Sequence, residues 1–229
     1  MAPDPETHSG DLTLADGPAK SVARGRIAGQ DPIKRQQIID AARHCFMRDG
    51  FEATSMNEIT AEAGVSKGTI YVYFSDKEDL FKELCRSERA KTMDFAKQEL
   101  DAATTVREAL TRFGIVLVTR MTSDHVIKAQ RMVLAVADKF PKLAANFFGP
   151  EPFSGLVVIK TYLDGRVASG DLFIDDTDLA GRQFMDLAMS GFFKRRLFGN
   201  MQEEPAPEVI ARTVERGVDM FLTYYGRKR

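Results

Sequence analysis

Between Thr54 and Glu78 the chain carries three helix-start signals and a helix stop. That density leaves room only for short helices packed across one another. Ser55-Met56-Asn57-Glu58 is a capping box, in which a hydroxyl and a carboxylate satisfy each other's free backbone amides. Gly64 closes the helix so begun, Ser66 can cap the next through about Phe74, and Ser75-Asp76-Lys77-Glu78 is a second box opening a longer one. Upstream, Pro32 suits a first helical turn, Ile38, Ala42 and Cys45 repeat at helical spacing flanked by Ile39, Ala41 and Phe46, and Gly50 stops that run.

Two short capped helices joined across Gly64, with Ile59, Ala63, Val65 and Ile70 to pack their crossing, form a helix-turn-helix. In that unit the second helix enters a DNA major groove. From Gly64 to Ser75 there is no acidic residue, and Ser66, Lys67, Thr69, Tyr71 and Tyr73 supply hydroxyl and ammonium groups for phosphates and base edges. Gly68 removes a side chain where backbone could approach DNA, and Val72 suits a thymine methyl. Thr54 and Ser55 place hydroxyls and free amides at the start of the first short helix, where its dipole favours a phosphate, and Lys77 sits equivalently on the fourth helix.

Charge works against this reading. The 229 residues carry a net charge of −1. Residues 31–80 hold six basic side chains (Lys34, Arg35, Arg43, Arg48, Lys67, Lys77) against nine acidic ones (Asp31, Asp40, Asp49, Glu52, Glu58, Glu62, Asp76, Glu78, Asp79). Any attraction to DNA is therefore local. Residues 1–30 read as a mobile arm whose far end, Lys20, Arg24 and Arg26, could reach a minor groove, although solvation is the commoner fate of such residues.

Beyond the small unit the periodicity stays helical. The fourth helix runs to about Leu100. Val106, Leu110, Phe113, Leu117 and Met121 form one stripe, and Val126, Ala129, Val133 and Val136 another. Pro141 and the Gly149–Pro152 cluster break the chain, and further helices are expected over about 153–168, 178–198 and from Pro207 to Tyr225. The fold expected is all-α, with an arm (1–30), a three-helix DNA-binding unit (31–80) and a larger helical ligand-binding and dimerisation domain (81–229). Cys45 and Cys85 have no ligand spacing, so neither a disulfide scaffold nor a zinc site is expected, and a reducing cytoplasm fits. No membrane span, metal or cofactor is expected. Without a nucleotide-loop order of Gly and Lys, or a nucleophile paired with a base, neither is an enzyme; His125 would be the residue to test if turnover were seen.

The stretch Ile38-Ile39-Asp40-Ala41-Ala42, Phe46, Gly50-Phe51, Thr54-Ser55, Ile59, Ala63-Gly64-Val65-Ser66, Gly68-Thr69-Ile70-Tyr71, Tyr73-Phe74 and Lys77-Glu78-Asp79-Leu80 resembles the N-terminal signature of the TetR (tetracycline-repressor) family of transcriptional regulators. The resemblance implies an all-helical homodimer with a C-terminal domain for dimerisation and small-molecule binding. It implies DNA contacts at Thr54, Ser55, Ser66, Lys67, Gly68, Thr69, Tyr71, Val72, Tyr73 and Lys77, with Tyr73 standing where members often have His. Lys139–Leu143 and Phe192–Gly199 are faintly similar to the AefR-like subset.

Most of the 16 phenylalanines and ten methionines lie beyond Leu80. A core requires many of them, and together they also suit an adaptable apolar cavity, for which Phe113, Met121, Met132 and Phe184 are the candidates. The last two helices pair Phe184, Leu187, Gly191 and Phe198 with Ile210, Val214, Gly217, Phe221 and Tyr224. They carry further apolar residues off that stripe, more than one buried face needs, so a homodimer through these helices is expected, with Gly191 and Gly217 allowing close approach. The reading is a repressor released from a palindromic operator by a small-molecule effector. The alternative is an effector-independent DNA-binding or architectural protein of the same fold.

Overall fold

The computed structural model describes residues 31–148 and 154–226, apart from the side chains of residues 146 and 148. Among the described residues there are eleven helices and no strand, so the fold is all-α. The arm of residues 1–30, with Lys20, Arg24 and Arg26, lies outside them.

Local chemistry sets the first four helices. Asp31 caps α1 (Pro32–Asp49) by accepting from the Ile33 and Lys34 amides, and Gly50 ends it in a positive-φ conformation that favours glycine. Both halves of the Ser55–Glu58 capping box form at α2 (Met56–Glu62), and Ser66 caps α3 (Lys67–Tyr73). The second expected box is shifted by one residue. Asp76 caps α4 (Lys77–Asp101) through the Asp79 amide, while the Asp79 carboxylate reaches back to the Ser75 amide at 3.1 Å. At 25 residues, α4 is about 37 Å long and runs from the helix-turn-helix into the second half of the chain.

The helices that follow are α5 (Val106–Thr122), α6 (Asp124–Val136), α7 (Pro141–Phe148), α8 (Gly155–Ala168), α9 (Thr177–Met189), α10 (Phe192–Leu197) and α11 (Pro207–Tyr225). Pro141 begins a helix as well as breaking one, as a ring without an N–H can at a first turn. The single helix expected over 178–198 is divided, because Ser190 and Gly191 both adopt left-handed backbone angles. The turn lets α10 cross back toward the α5–α6 junction. There the buried Arg196 donates to the Thr122 carbonyl at 2.9 Å and pairs with Asp124, and Arg131 caps the helix end through the Arg196 and Leu197 carbonyls.

Two apolar cores result. The first lies under α1–α3 and the start of α4, and α6 and α7 add Val133, Val136 and Leu143 to it. Phe46, Phe51 and Phe81 meet there with ring centroids 5.3–5.5 Å apart, and Phe140 stands edge-on to Phe51 at 5.6 Å. The second core joins the end of α4 with α5, α8, α9 and α11 around Phe113, Phe184 and Phe221.

Candidate nucleic-acid interface and effector chamber

Ile70 and Phe74 anchor α3 in the first core, which fixes what its other face presents. Lys67 and Gly68 are exposed, and Tyr71 and Val72 stand 46 % and 52 % in solvent although they are large and apolar. The Ser66 hydroxyl accepts from the Thr69 amide at 3.0 Å and lies 2.7 Å from the Thr69 hydroxyl, so both are ordered at the helix start. A Cβ on Gly68 would meet nothing nearer than the Ser66 hydroxyl oxygen at 3.8 Å; the chain's own packing does not demand a glycine there. Tyr73 is half-buried against the first core, at the edge of this surface.

Two expected contacts serve the fold instead. Thr54 is 1 % exposed and its hydroxyl donates to the Gly50 carbonyl at 2.7 Å, so it stitches the loop after α1 and is not presented to a phosphate. The Lys77 ammonium donates to the carbonyls of Phe51, Glu52 and Thr54 at 2.9–3.1 Å, 4.8 Å from the Phe51 ring centre. All three of its donors are taken, leaving none for DNA. At the start of α2 the Ser55 amide and hydroxyl both donate to the Glu58 carboxylate, at 2.7 and 2.8 Å. Those bonds hold the Glu58 carboxyl below its usual range. A phosphate approaching Ser55 competes with that charge.

The surplus of acid over base in this unit is largely engaged elsewhere. Asp31, Glu58, Asp76 and Asp79 serve helix starts, Asp40 and Asp49 pair with Arg43 and Arg48, and Glu52 pairs with Lys139.

A chamber of about 230 Å³ opens between α1, α4, α5, α6 and α7. Of the four expected ligand residues, Met121 and Met132 lie on its wall. Phe113 and Phe184 do not: both are fully buried in the second core, ring centroids 6.2 Å apart, because α5 and α9 turn those faces toward α11. The sequence reading also missed the polar wall, Arg43, Glu88, Arg89, Arg120 and His125. Its signal was present on α4, where Phe81, Cys85, Glu88 and Thr92 recur at three- and four-residue spacing and share one face. Arg43 and Arg120 donate to the two Glu88 oxygens at 2.7 and 3.0 Å, and burial is the main force on the Glu88 carboxyl opposing the cations that keep it low. Desolvation, then Arg120, pushes His125 below its ordinary value. Burial pushes the Cys85 thiol up to about 12, so it is no ready thiolate.

The outer face of α9 and α11 exposes Leu179, Met220 and Tyr224 along an open groove. The glycines expected to admit a partner act within the chain: Gly191 caps α10, and a Cβ on Gly217 would sit 3.2 Å from the Leu187 carbonyl, so Gly217 lets α11 close on α9. Phe184, Ile210, Val214 and Phe221 are buried in the chain's own core, and Phe198 lies past the end of α10, 72 % exposed.

Comparison with known proteins agrees with this geometry. Residues 38–84 match the family described as bacterial regulatory proteins, tetR family, and residues 108–227 match the AefR-like transcriptional repressor, C-terminal domain. The transcriptional repressor AcnR of Corynebacterium diphtheriae is 39 % identical over 59 residues, 26 % of this chain and 31 % of that protein. The matched segment thus spans about a third of that curated relative. A TetR-family regulator from Mesorhizobium loti superposes with a TM-score of 0.75 at 26 % identity, covering 85 % of this chain and 98 % of that one. The flavonoid-responsive regulator FrrA does so with a TM-score of 0.68 at 28 % identity, covering 87 % and 100 %.

Proposed function

Because the chain belongs to the TetR family of bacterial transcriptional regulators, we propose that it is a sequence-specific repressor acting as a two-fold homodimer, released from a palindromic operator when a small molecule fills the chamber. The observation that carries the DNA reading is the outward face of α3: Tyr71 and Val72 exposed beside Lys67 and a glycine the fold does not need. Ser66 and Thr69 at the start of that helix, Tyr73 at its edge and Ser55 at the start of α2 complete the proposed contacts. The homodimer is supported by the apolar groove on α9 and α11, along which Leu179 and Met220 stand exposed to solvent. Two copies must present their α3 helices about 34–36 Å apart, or a multiple, to enter successive major grooves.

Helix α6 links chamber and reading helix. Met132 lies on the chamber wall, the next residue Val133 is in the first core, and beyond the helix Lys139 pairs with Glu52 while Phe140 packs on Phe51. Glu52 and Phe51 belong to the loop that leads into α2, the loop Lys77 clamps. A ligand that displaces α6 therefore pulls on the start of the helix-turn-helix. A typical coupling of about 1–3 kcal/mol would weaken operator binding roughly 5- to 150-fold. The chamber and the likeness to a structure named as flavonoid-responsive favour this over effector-independent binding.

Selection of bound duplexes from random DNA, followed by gel shifts, tests the reading. A palindrome with the stated half-site spacing is expected, and Tyr71→Ala and Lys67→Ala should each weaken it about tenfold. Unchanged affinity in both variants would remove α3 as the reading helix.

A further inference from the structure

The chamber's wall is unbalanced in charge. Three arginines, Arg43, Arg89 and Arg120, face one carboxylate, Glu88. Both Glu88 oxygens are already taken, Oε1 by Arg43 and by Lys91 at 3.4 Å, and Oε2 by Arg120. Arg43 has a second acid outside the chamber, Asp40 at 2.9 Å. Arg89 donates to the Phe147 carbonyl at 2.8 Å, and among the described residues no carboxylate lies within ion-pair distance of it. His125 adds a ring whose charged form burial and then Arg120 disfavour.

Apart from Thr92, whose hydroxyl donates to the Glu88 carbonyl, and the Cys85 thiol, the remaining wall is apolar, so an occupant strips water from these guanidinium groups. A neutral molecule adds nothing to the single carboxylate and the carbonyl that these three cations already share, and a cation adds repulsion. A carboxylate does the opposite: it accepts the planar, paired donors that arginine offers in charge-assisted bonds. Size narrows the class further. A dry cavity of about 150 Å³ takes one benzene ring, so about 230 Å³ accommodates a ring with roughly three more heavy atoms, or an alkyl chain of similar bulk.

We propose that the chamber's ligand is a small amphipathic carboxylic acid, its carboxylate held by Arg89 and Arg120 and its apolar body lying among Met121, Met132 and Phe147. The inference rests on the chamber being the effector site, and it names the chemistry of that effector. The volume favours a short acid over a long-chain or bulky one, and a cationic amphiphile has the wrong charge for the wall.

Calorimetric titration of the purified chain with four matched probes tests it: phenylacetate, octanoate, phenylacetamide and 2-phenylethylamine. At least one acid should bind ten or more times tighter than the amide, and the amine should not bind. Arg89→Gln and Arg120→Gln should each erase most of that preference while leaving weak amide binding. The comparison of acid with amide on the unaltered protein needs no variant to fold. Amide or amine binding as tight as the acids, or no acid binding at millimolar concentration, overturns the proposal. Operator binding is then measured with and without each probe. If a bound acid leaves DNA affinity unchanged, the anion site stands and the effector reading falls; if only the neutral or cationic probe releases DNA, the effector reading stands and the acid class falls.

Discussion

The two apolar cores differ in what they border. The second, around Phe113, Phe184 and Phe221, is closed: α5, α9 and α11 approach so tightly that a Cβ on Gly114 would meet a Val214 methyl at 2.6 Å. The first is bordered on one side by α3 and on another by the chamber, and its members come from both halves of the chain. A dense core with no void has one arrangement and resists deformation. A core that abuts a chamber can settle into another arrangement when a molecule occupies that volume, and the change reaches whatever shares its side chains. The second core thus holds the outer groove of α9 and α11 in shape, and in the proposed function it is the first that would relay a signal.

The sharpest way to break this contrast is to truncate one side chain in each region. Phe184→Ala should cost about 3–5 kcal/mol of stability, since it leaves a cavity in the closed core, and with it the α9–α11 surface. Met132→Ala, which enlarges an existing chamber, should cost less than about 2 kcal/mol and change ligand binding more than melting. Chemical denaturation of both variants checks the pair. Equal losses would mean that the chamber wall is packed as rigidly as the core, and the relay argument would fail.

A smaller effect tests the clamp beneath the helix-turn-helix. Lys77→Met keeps the alkyl stem over Phe51 and removes three charge-assisted donors, so stability should fall by about 1–3 kcal/mol. Operator affinity, measured well below the melting transition, should drop only as far as the loop loosens. Intact stability with a large, salt-dependent loss of DNA binding would restore Lys77 as a phosphate contact.

Lys77 also shows where a sequence stops being legible. The helices and their caps are written in neighbours a few residues apart, so Ser55 with Glu58 and Ser66 before Ile70 could be read directly. The destination of a long side chain is a matter of what the fold brings near it, and the acceptors for Lys77 lie more than twenty residues upstream. The chamber is the stronger case. Its wall draws on five helices, so periodicity and residue type could single out Met121, Met132, Phe113 and Phe184 but could not sort them between a closed core and an open one. The break at Ser190–Gly191 escaped for the opposite reason: apolar spacing continues through it, and only the backbone angles record the turn.

The smallest effect is the most discriminating for α3. Glycine within a helix costs roughly 0.5–1 kcal/mol relative to alanine through the freedom it loses on folding. At Gly68 nothing in the chain's packing demands the glycine, because an added methyl group meets only the Ser66 hydroxyl oxygen, at an ordinary contact distance of 3.8 Å. Gly68→Ala should therefore raise the melting temperature slightly while weakening operator binding, as the methyl group obstructs the close approach of backbone to DNA. Stability and function moving in opposite directions at one residue is the mark of a position kept for a partner outside the chain. If the variant is more stable and binds DNA as before, Gly68 faces away from the duplex, and α3 must enter the groove by the edge that carries Tyr71 and Val72 alone.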